Sequence, residues 1–116
     1  MLAGRYNIIC DQGSTFQRVI EIKDTDGTIF PLTGYTARMQ IRREVDASAT
    51  LMELTIANGR IVVYGALGTI ELKLSASETA SITRSGYYDL EIVKTATGEV
   101  QKVLRGEFRL EKEVTR

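Results

Sequence analysis

Residues 35–42 read Tyr-Thr-Ala-Arg-Met-Gln-Ile-Arg, and in this stretch apolar and polar side chains alternate without a break. Successive side chains of a β-strand point to opposite faces of the sheet, so Tyr35, Ala37, Met39 and Ile41 share one face. The polar residues between them share the other face. A strand with one apolar and one polar face is typical of antiparallel sheets that pack face to face.

The same alternation recurs along the chain, which predicts several one-sided strands. It is found in Met52–Ile56, Thr69–Leu74, Tyr88–Ile92 and Leu104–Leu110. The segment Thr15–Lys23 is less regular, because Arg18 shares a face with Phe16 and Ile20. We interpret this segment as a strand with a bulge or with an exposed edge.

Turn residues separate these strands at intervals of about 8–12 residues, a spacing typical of an all-β sandwich or small barrel. The turns fall at residues 11–13, 24–27, 31–34, 58–59, 65–68, 85–86 and 97–98. Asn58-Gly59, between Ile56 and Ile61, predicts a β-hairpin because both residue types tolerate a positive φ. Thr95–Gly98 predicts a second, looser hairpin.

One segment departs from the β pattern. Ser75-Ala-Ser-Glu78 has the form of a helix capping box, and Gly86 ends the run that follows it. We therefore expect an all-β, antiparallel sandwich with one short helical turn near residues 75–82. Residues 1–116 form a single domain in this interpretation, with extended ends at 1–5 and 111–116 and a mobile loop at 44–50.

The composition argues against most kinds of catalytic or metal site. The chain contains no histidine, and its single cysteine, Cys10, cannot form an internal disulfide. We interpret Cys10 as a small apolar residue at the end of a strand. Fifteen basic and fifteen acidic residues cancel, so no net field attracts nucleic acid or an anionic membrane. No signal peptide or membrane span is expected, and we expect neither an enzyme nor a cofactor.

Acidic residues provide two weak candidates for chemistry. Asp24-Thr-Asp-Gly27 resembles the start of a calcium loop, but Tyr35 occupies the position that requires a glutamate. Carboxylates also recur on the polar faces of strands, at Glu53, Glu71, Asp89, Glu91 and Glu107. The spacing brings no two of these together as a glycosidase pair, so we interpret them as solvated strand faces.

Basic and aromatic residues give a third candidate, a surface for single-stranded nucleic acid. The basic residues are Arg38, Arg42 and Arg43, with Arg18 and Arg105 nearby in this interpretation, and the aromatic ones are Tyr6, Tyr64 and Tyr87. The acidic residues among them argue against nucleic acid. Ion pairs with a neighbouring subunit account for the arginines at least as well.

An ordered series of phrases resembles a family of small tailed-bacteriophage virion proteins, and is similar to the immunoglobulin-like N-terminal domain of phage baseplate upper proteins. The phrases are Tyr6-Asn-Ile-Ile-Cys-Asp-Gln-Gly-Ser-Thr-Phe16, Asp24-Thr-Asp-Gly27, Leu32-Thr-Gly-Tyr-Thr-Ala-Arg-Met-Gln-Ile-Arg42, Asn58-Gly-Arg-Ile61, Gly68-Thr-Ile-Glu-Leu72, Tyr87-Tyr-Asp-Leu-Glu-Ile92 and Gly106-Glu-Phe-Arg-Leu-Glu-Lys-Glu-Val-Thr-Arg116. The resemblance implies an immunoglobulin-like sandwich and transfers no catalytic residue.

The resemblance also implies a role in the virion, which assembles in the host cytoplasm. We expect a structural or adaptor subunit of the tail or baseplate that joins neighbouring components or anchors a fibre. Baseplate upper proteins continue into further segments, so this chain would act as a stand-alone subunit. Its partners would be tail, baseplate, fibre or capsid subunits, with several copies in a symmetric assembly. The alternatives are a decoration or connector protein of the head or neck, and a carbohydrate-binding module for host attachment.

Overall fold

The computed structural model describes residues 4–115, which form strands β1–β9 and one short helix, α1. The strands are β1 (Gly4–Arg5), β2 (Ile8–Asp11), β3 (Phe16–Glu21), β4 (Tyr35–Arg42), β5 (Met52–Thr55), β6 (Ile61–Tyr64), β7 (Thr69–Leu74), β8 (Gly86–Lys94) and β9 (Val100–Glu111). The helix is α1 (Ala76–Ser81), and it lies between β7 and β8 in the chain.

The strands form two sheets, so the fold is all-β as predicted. The larger sheet has the order β1-β9-β8-β4-β5, with β2 also paired to β9, and the smaller has the order β3-β7-β6. The apolar faces of both sheets contribute to one core, and the rings of Phe16 and Phe108 meet edge to face across it with their centres 6.4 Å apart. In residues 35–42 the apolar side chains face the core as predicted, because Ala37, Met39 and Ile41 are buried.

Strand pairing is antiparallel with one exception at the start of the chain. Both β1 and β2 run parallel to β9, with Gly4 opposite Leu104 and Ile8 opposite Phe108. The side chain of Tyr88 holds this segment as well, because its hydroxyl donates a hydrogen bond to the Tyr6 carbonyl at 2.6 Å. The prediction of an antiparallel sandwich therefore holds for all the other described strand pairs.

Parts of both segments predicted to be extended ends, 1–5 and 111–116, contact the domain. At the start, Gly4 and Arg5 pair with β9, because the backbone of that strand offers them hydrogen-bond partners. At the other end, Glu111 is still part of β9, and the Glu113 amide donates a hydrogen bond to the Gln12 side chain at 3.0 Å. Residues 1–3 and 116 lie outside the described residues.

The prediction of a hairpin at Asn58-Gly59 was wrong. The strands on either side of it belong to different sheets, since β5 pairs with β4 and β6 pairs with β7. Of the two turn residues, Gly59 has a positive φ, of 78°, and Asn58 does not, whereas a type I′ hairpin turn needs a positive φ at both. The Asn58 side chain instead accepts hydrogen bonds from the amides of Thr55 and Arg60, and this arrangement forms a corner between the sheets.

The looser hairpin at Thr95–Gly98 is confirmed, and it joins β8 to β9. An irregularity interrupts this pairing further along: Leu90 lies opposite Leu104, but Glu91 lies opposite Lys102. The extra residue is Val103, which is buried, whereas Leu104 is only half-buried. This β-bulge moves the core position by one residue, a shift that the alternation did not predict.

The irregular pattern of β3 has a different cause from the predicted bulge. The strand pairs with β7 in unbroken register from Phe16 to Glu21, and it forms one edge of the smaller sheet. The prediction of an exposed edge is therefore confirmed. Val19 points outward with 60% of its surface exposed, and Arg18 shares the inward parity of Phe16 and Ile20.

The helix forms as the capping box predicts. The Ser75 hydroxyl accepts a hydrogen bond from the Glu78 amide, and the Glu78 carboxylate accepts one from the Ser75 amide. Thr79 is the buried polar residue of the helix, and its hydroxyl accepts from the Gly13 amide and donates to the Ser14 carbonyl. The helix thereby packs against the β2–β3 loop. No helix in the described part of the chain is long and apolar enough to cross a membrane.

Candidate functional site

The outer side of the larger sheet carries charged side chains from several strands, and we refer to it as the charged face. Strand alternation turns its polar side chains away from the core. They include Arg38, Gln40 and Arg42 on β4, Glu53 on β5, Asp89 and Glu91 on β8, and Lys102, Arg105 and Glu107 on β9. These residues come from four different parts of the chain, and the strand order places them side by side.

Opposite charges on this face are arranged in cross-strand pairs. Arg38 Nε lies 2.9 Å from Glu91 Oε1, and Lys102 Nζ lies 3.1 Å from Asp89 Oδ2. Ion pairs this exposed contribute little to stability, typically less than about 1 kcal/mol.

A row of hydrogen bonds connects the charged face to the loop between β4 and β5. The Gln40 amide donates to Glu53 at 2.6 Å, and Arg42 donates both to Gln40 at 2.8 Å and to the Ala47 carbonyl at 2.7 Å. Arg42 therefore holds the 43–51 loop against the sheet. The loop carries Val45, which has 81% of its surface exposed.

A shallow depression of about 230 Å³ lies between this loop and β8. It is lined mainly by Gln40, Arg42, Val45, Tyr87 and Asp89. Small-molecule sites are usually larger than about 300 Å³, more apolar and more enclosed. The depression by itself is therefore smaller and more open than a usual small-molecule site.

The strand order, which sequence spacing does not reveal, places several of the strand carboxylates on one face. Asp89 and Glu91 share the charged face with Glu53, because β4 pairs with both β5 and β8. These three carboxylates each contact a cation or an amide, as described above, and Glu107 on the same face lies 3.6 Å from Arg109. Glu71 lies in the other sheet. Among the described residues, no group of three or more acidic or cysteine side chains is arranged to hold a metal ion.

The predicted group of arginines is only partly formed. Arg38, Arg42 and Arg105 lie in the larger sheet, whereas Arg18 lies in the smaller one, on β3. The tyrosines are also separated. Tyr64 and Tyr87 are exposed on strands of different sheets, so they cannot form one stacking platform.

The Asp24–Gly27 segment is a turn whose polar groups bind one another. The Asp26 carboxylate accepts hydrogen bonds from the hydroxyl of Thr28 at 2.7 Å and from its amide at 3.1 Å. These bonds hold the pKa of Asp26 below its usual range. This geometry agrees with the interpretation of the segment as a polar turn.

On the outer side of the smaller sheet, the central strand β7 carries Glu71, whose carboxylate has polar neighbours. Glu71 accepts hydrogen bonds from Gln17 and, at 3.2 Å, from the Tyr64 hydroxyl. The negative charge of Glu71 raises the pKa of Tyr64 above its usual value. Both oxygens of this carboxylate are therefore occupied by neutral donors from the flanking strands.

The edges of the two sheets are a further candidate for binding. Of the edge strands, the sequence pattern had indicated only β3. On β5, the Glu53 carbonyl accepts from the side chains of Asn58 at 2.9 Å and Arg60 at 2.8 Å. On β2, the Ile9 carbonyl accepts from Arg18 Nη2 at 3.1 Å. Side chains thus occupy backbone groups that would otherwise be open to a neighbouring strand.

Comparison with known proteins does not assign the chain to a family. No protein-family model matches it, and no similar protein is found among the curated proteins.

Proposed function

We propose that this chain is a non-enzymatic structural or adaptor subunit of a tailed-bacteriophage virion, in the tail or baseplate region. There it joins neighbouring components or anchors a fibre, in several copies within a symmetric assembly built in the host cytoplasm. The ordered series of phrases from Tyr6 to Arg116 that resembles small virion proteins is the observation that carries this proposal.

The strand order supports the immunoglobulin-like part of the proposal. Immunoglobulin-type sandwiches place the third, sixth and seventh strands together in one sheet, and the second, fifth and fourth in the other. When β1 and β2 are counted as the first strand and β5 as an added one, the larger sheet has the order 7-6-3 and the smaller 2-5-4. The added β5 lies next to the third strand, as in variable-type domains.

The charged face supports a role in protein–protein contacts. It offers alternating cations and anions on a flat sheet, together with the exposed Val45 and Tyr87 at its rim. Aromatic residues surrounded by complementary charges are common at protein interfaces. Catalysis would instead need unpaired acid and base groups in an enclosed cleft.

Purified phage particles from the strain that encodes this chain provide the test. We expect mass spectrometry to detect the chain in intact particles and, after heads and tails are separated, in the tail fraction. Recovery in the head fraction would favour the alternative of a decoration or connector protein of the head or neck. Absence from particles would contradict the proposal.

A glycan array distinguishes the remaining alternative, a carbohydrate-binding module for host attachment. We expect no selective glycan binding, because Tyr64 and Tyr87 lie in different sheets and so cannot line one groove. Selective binding that is lost on replacement of one of these tyrosines would favour the carbohydrate-binding alternative.

A further inference from the structure

The outer edge of β6 has hydrogen-bonding groups that face away from its sheet. In an antiparallel ladder, the backbone groups of successive residues point alternately towards one neighbour and the other. The Lys73 amide donates to the Arg60 carbonyl at 2.9 Å, which means that Val62 and Tyr64 also face β7. The amides and carbonyls of Ile61 and Val63 therefore point to the open side of β6.

This edge differs from the others in its protection. Arg18 covers a carbonyl of β2, Asn58 and Arg60 cover one of β5, and β3 carries the charged Glu21, which forms an ion pair with Lys23 at 3.1 Å. Charges and capping groups of this kind discourage the addition of another strand. The Ile61–Tyr64 segment has no charged residue, and its composition strongly favours β-structure.

A groove leaves the β6 edge accessible. It runs between β6 and the first half of β4, where β5 makes no pairs, and Tyr35, Ile56 and Val63 are among the residues that line it. Ile56 has 43% of its surface exposed there. No described strand covers β6 on this side. Just beyond the strand, the Gly65 carbonyl accepts a hydrogen bond from the Leu32 amide at 2.8 Å, so the open edge ends at Tyr64.

We propose that β6 is a self-association site, at which a second copy of this chain adds its own β6 in antiparallel orientation. The edge is complementary to itself, since Ile61 and Val63 are two residues apart. A two-fold axis at Val62 places Ile61 opposite Val63 of the second copy and forms four backbone hydrogen bonds. The two smaller sheets then become one continuous six-stranded sheet.

The charges on the outer side of this joint are complementary. The two-fold axis sets Arg60 of one copy opposite Tyr64 of the other, and Tyr64 is hydrogen-bonded to Glu71. Each end of the joint thus pairs a cation with an aromatic ring beside a carboxylate. Arg60 keeps its ion pair with Glu78, at 2.5 Å, because that bond is directed towards the helix.

The pairing is short, so the dimer is expected to be weak, with a Kd of roughly 10 μM to 1 mM. It does not depend on the proposed role in a virion, because it concerns purified protein alone. Analytical ultracentrifugation over this concentration range is the measurement. In parallel, NMR spectra should show that the amide signals of Ile61 and Val63 move on dilution.

Val62 provides a test of the register. Its side chain lies opposite its own copy at the two-fold axis, so Val62→Lys or Val62→Glu alone places like charges together and should raise the Kd at least about tenfold. An equimolar mixture of the two variants should restore association, since lysine then meets glutamate. The matched controls are Val100→Lys and Val100→Glu on β9, an exposed valine of the larger sheet, which should leave the Kd unchanged.

Circular dichroism and thermal unfolding show whether each variant is folded. A wild-type protein that stays monomeric up to about 1 mM would overturn the proposal. So would a dimer whose Kd responds to the Val100 variants, or one that is insensitive to both Val62 variants. Failure of the mixed Val62 variants to associate would exclude the two-fold register.

Discussion

The guanidinium of Arg18 donates a hydrogen bond to the backbone carbonyl of Ile9 at 3.1 Å, and this bond connects the edges of the two sheets. The same guanidinium lies 5.2 Å from the centre of the Phe16 ring, within the range of a cation–π contact. Arg18 thus lies on the inward-facing side of β3, as a core residue does, while its guanidinium covers a backbone carbonyl at the sheet edge. Its position explains the one irregular residue in the alternation of β3.

Replacement of Arg18 by methionine should lower the free energy of unfolding by about 1–2 kcal/mol. The apolar stem is kept, but the Ile9 carbonyl loses its donor and Phe16 loses the cation. The matched control is Arg109→Met. The exposed Arg109 guanidinium lies 3.6 Å from Glu107, and its loss should change the free energy of unfolding by less than about 0.5 kcal/mol. Denaturant unfolding of both variants checks this, and equal losses would contradict it.

Thr79→Val should cost about 2–3 kcal/mol of stability, although valine has nearly the same shape. The Thr79 hydroxyl is fully buried and serves both the Gly13 amide and the Ser14 carbonyl. Thr79→Ser keeps the hydroxyl and loses only a methyl group, so it should lower the free energy of unfolding by about 1 kcal/mol. Thermal or denaturant unfolding should rank the serine variant above the valine variant, and the reverse order would show that packing dominates at this position.

Acid should weaken the domain partly through Glu78. The Ser75 amide, followed by Arg60, holds the pKa of this carboxyl below its ordinary value of 4.5. Because the folded-state pKa is lower than the unfolded one, the stabilisation is present above about pH 4.5 and is lost as the pH falls through the folded-state pKa.

Unfolding measured from pH 7 to pH 3 checks the contribution of Glu78. Glu78→Gln should be less stable than the wild type at neutral pH, and the gap should narrow in acid. A gap of constant size across this range would contradict the proposed electrostatic contribution.

Cys10 should be inert in the folded protein. Burial, reinforced by the neighbouring Asp11 charge, raises the pKa of this thiol to about 11, so it is protonated at pH 8. We expect a thiol-reactive dye to label it at least about 1000-fold more slowly than in denaturant, since reaction requires opening of the domain. A Cys10→Ala/Ser14→Cys variant, with its thiol on the exposed adjoining loop, is the control and should react rapidly. Equal rates would contradict the prediction.

The sequence allowed prediction of those elements whose signals are local. Alternation identified the inward side of β4, the Ser75–Glu78 capping box located α1, and Thr95–Gly98 located a hairpin. Each of these depends on neighbours within a few residues. The physical interactions that determine them are therefore visible in a short stretch of sequence.

Features that depend on a distant strand could not be predicted in this way. Asn58-Gly59 indicates a turn, but nothing local states that β6 joins the other sheet, where it pairs with β7. The bulge at Val103 appears only when β9 is aligned with β8. On the charged face, the parity of Asp89 was predictable, whereas its contact with Lys102 depends on the strand order.

The parallel pairing of β2 with β9 also determines how the domain responds to mechanical force. A pull applied through the residues before Gly4 and after Glu111 draws these two neighbouring strands in opposite directions along their common axis. The load is then shared among the backbone hydrogen bonds from Ile8 to Asp11, which must yield together and cannot open one after another. In this direction the domain resists extension by shear.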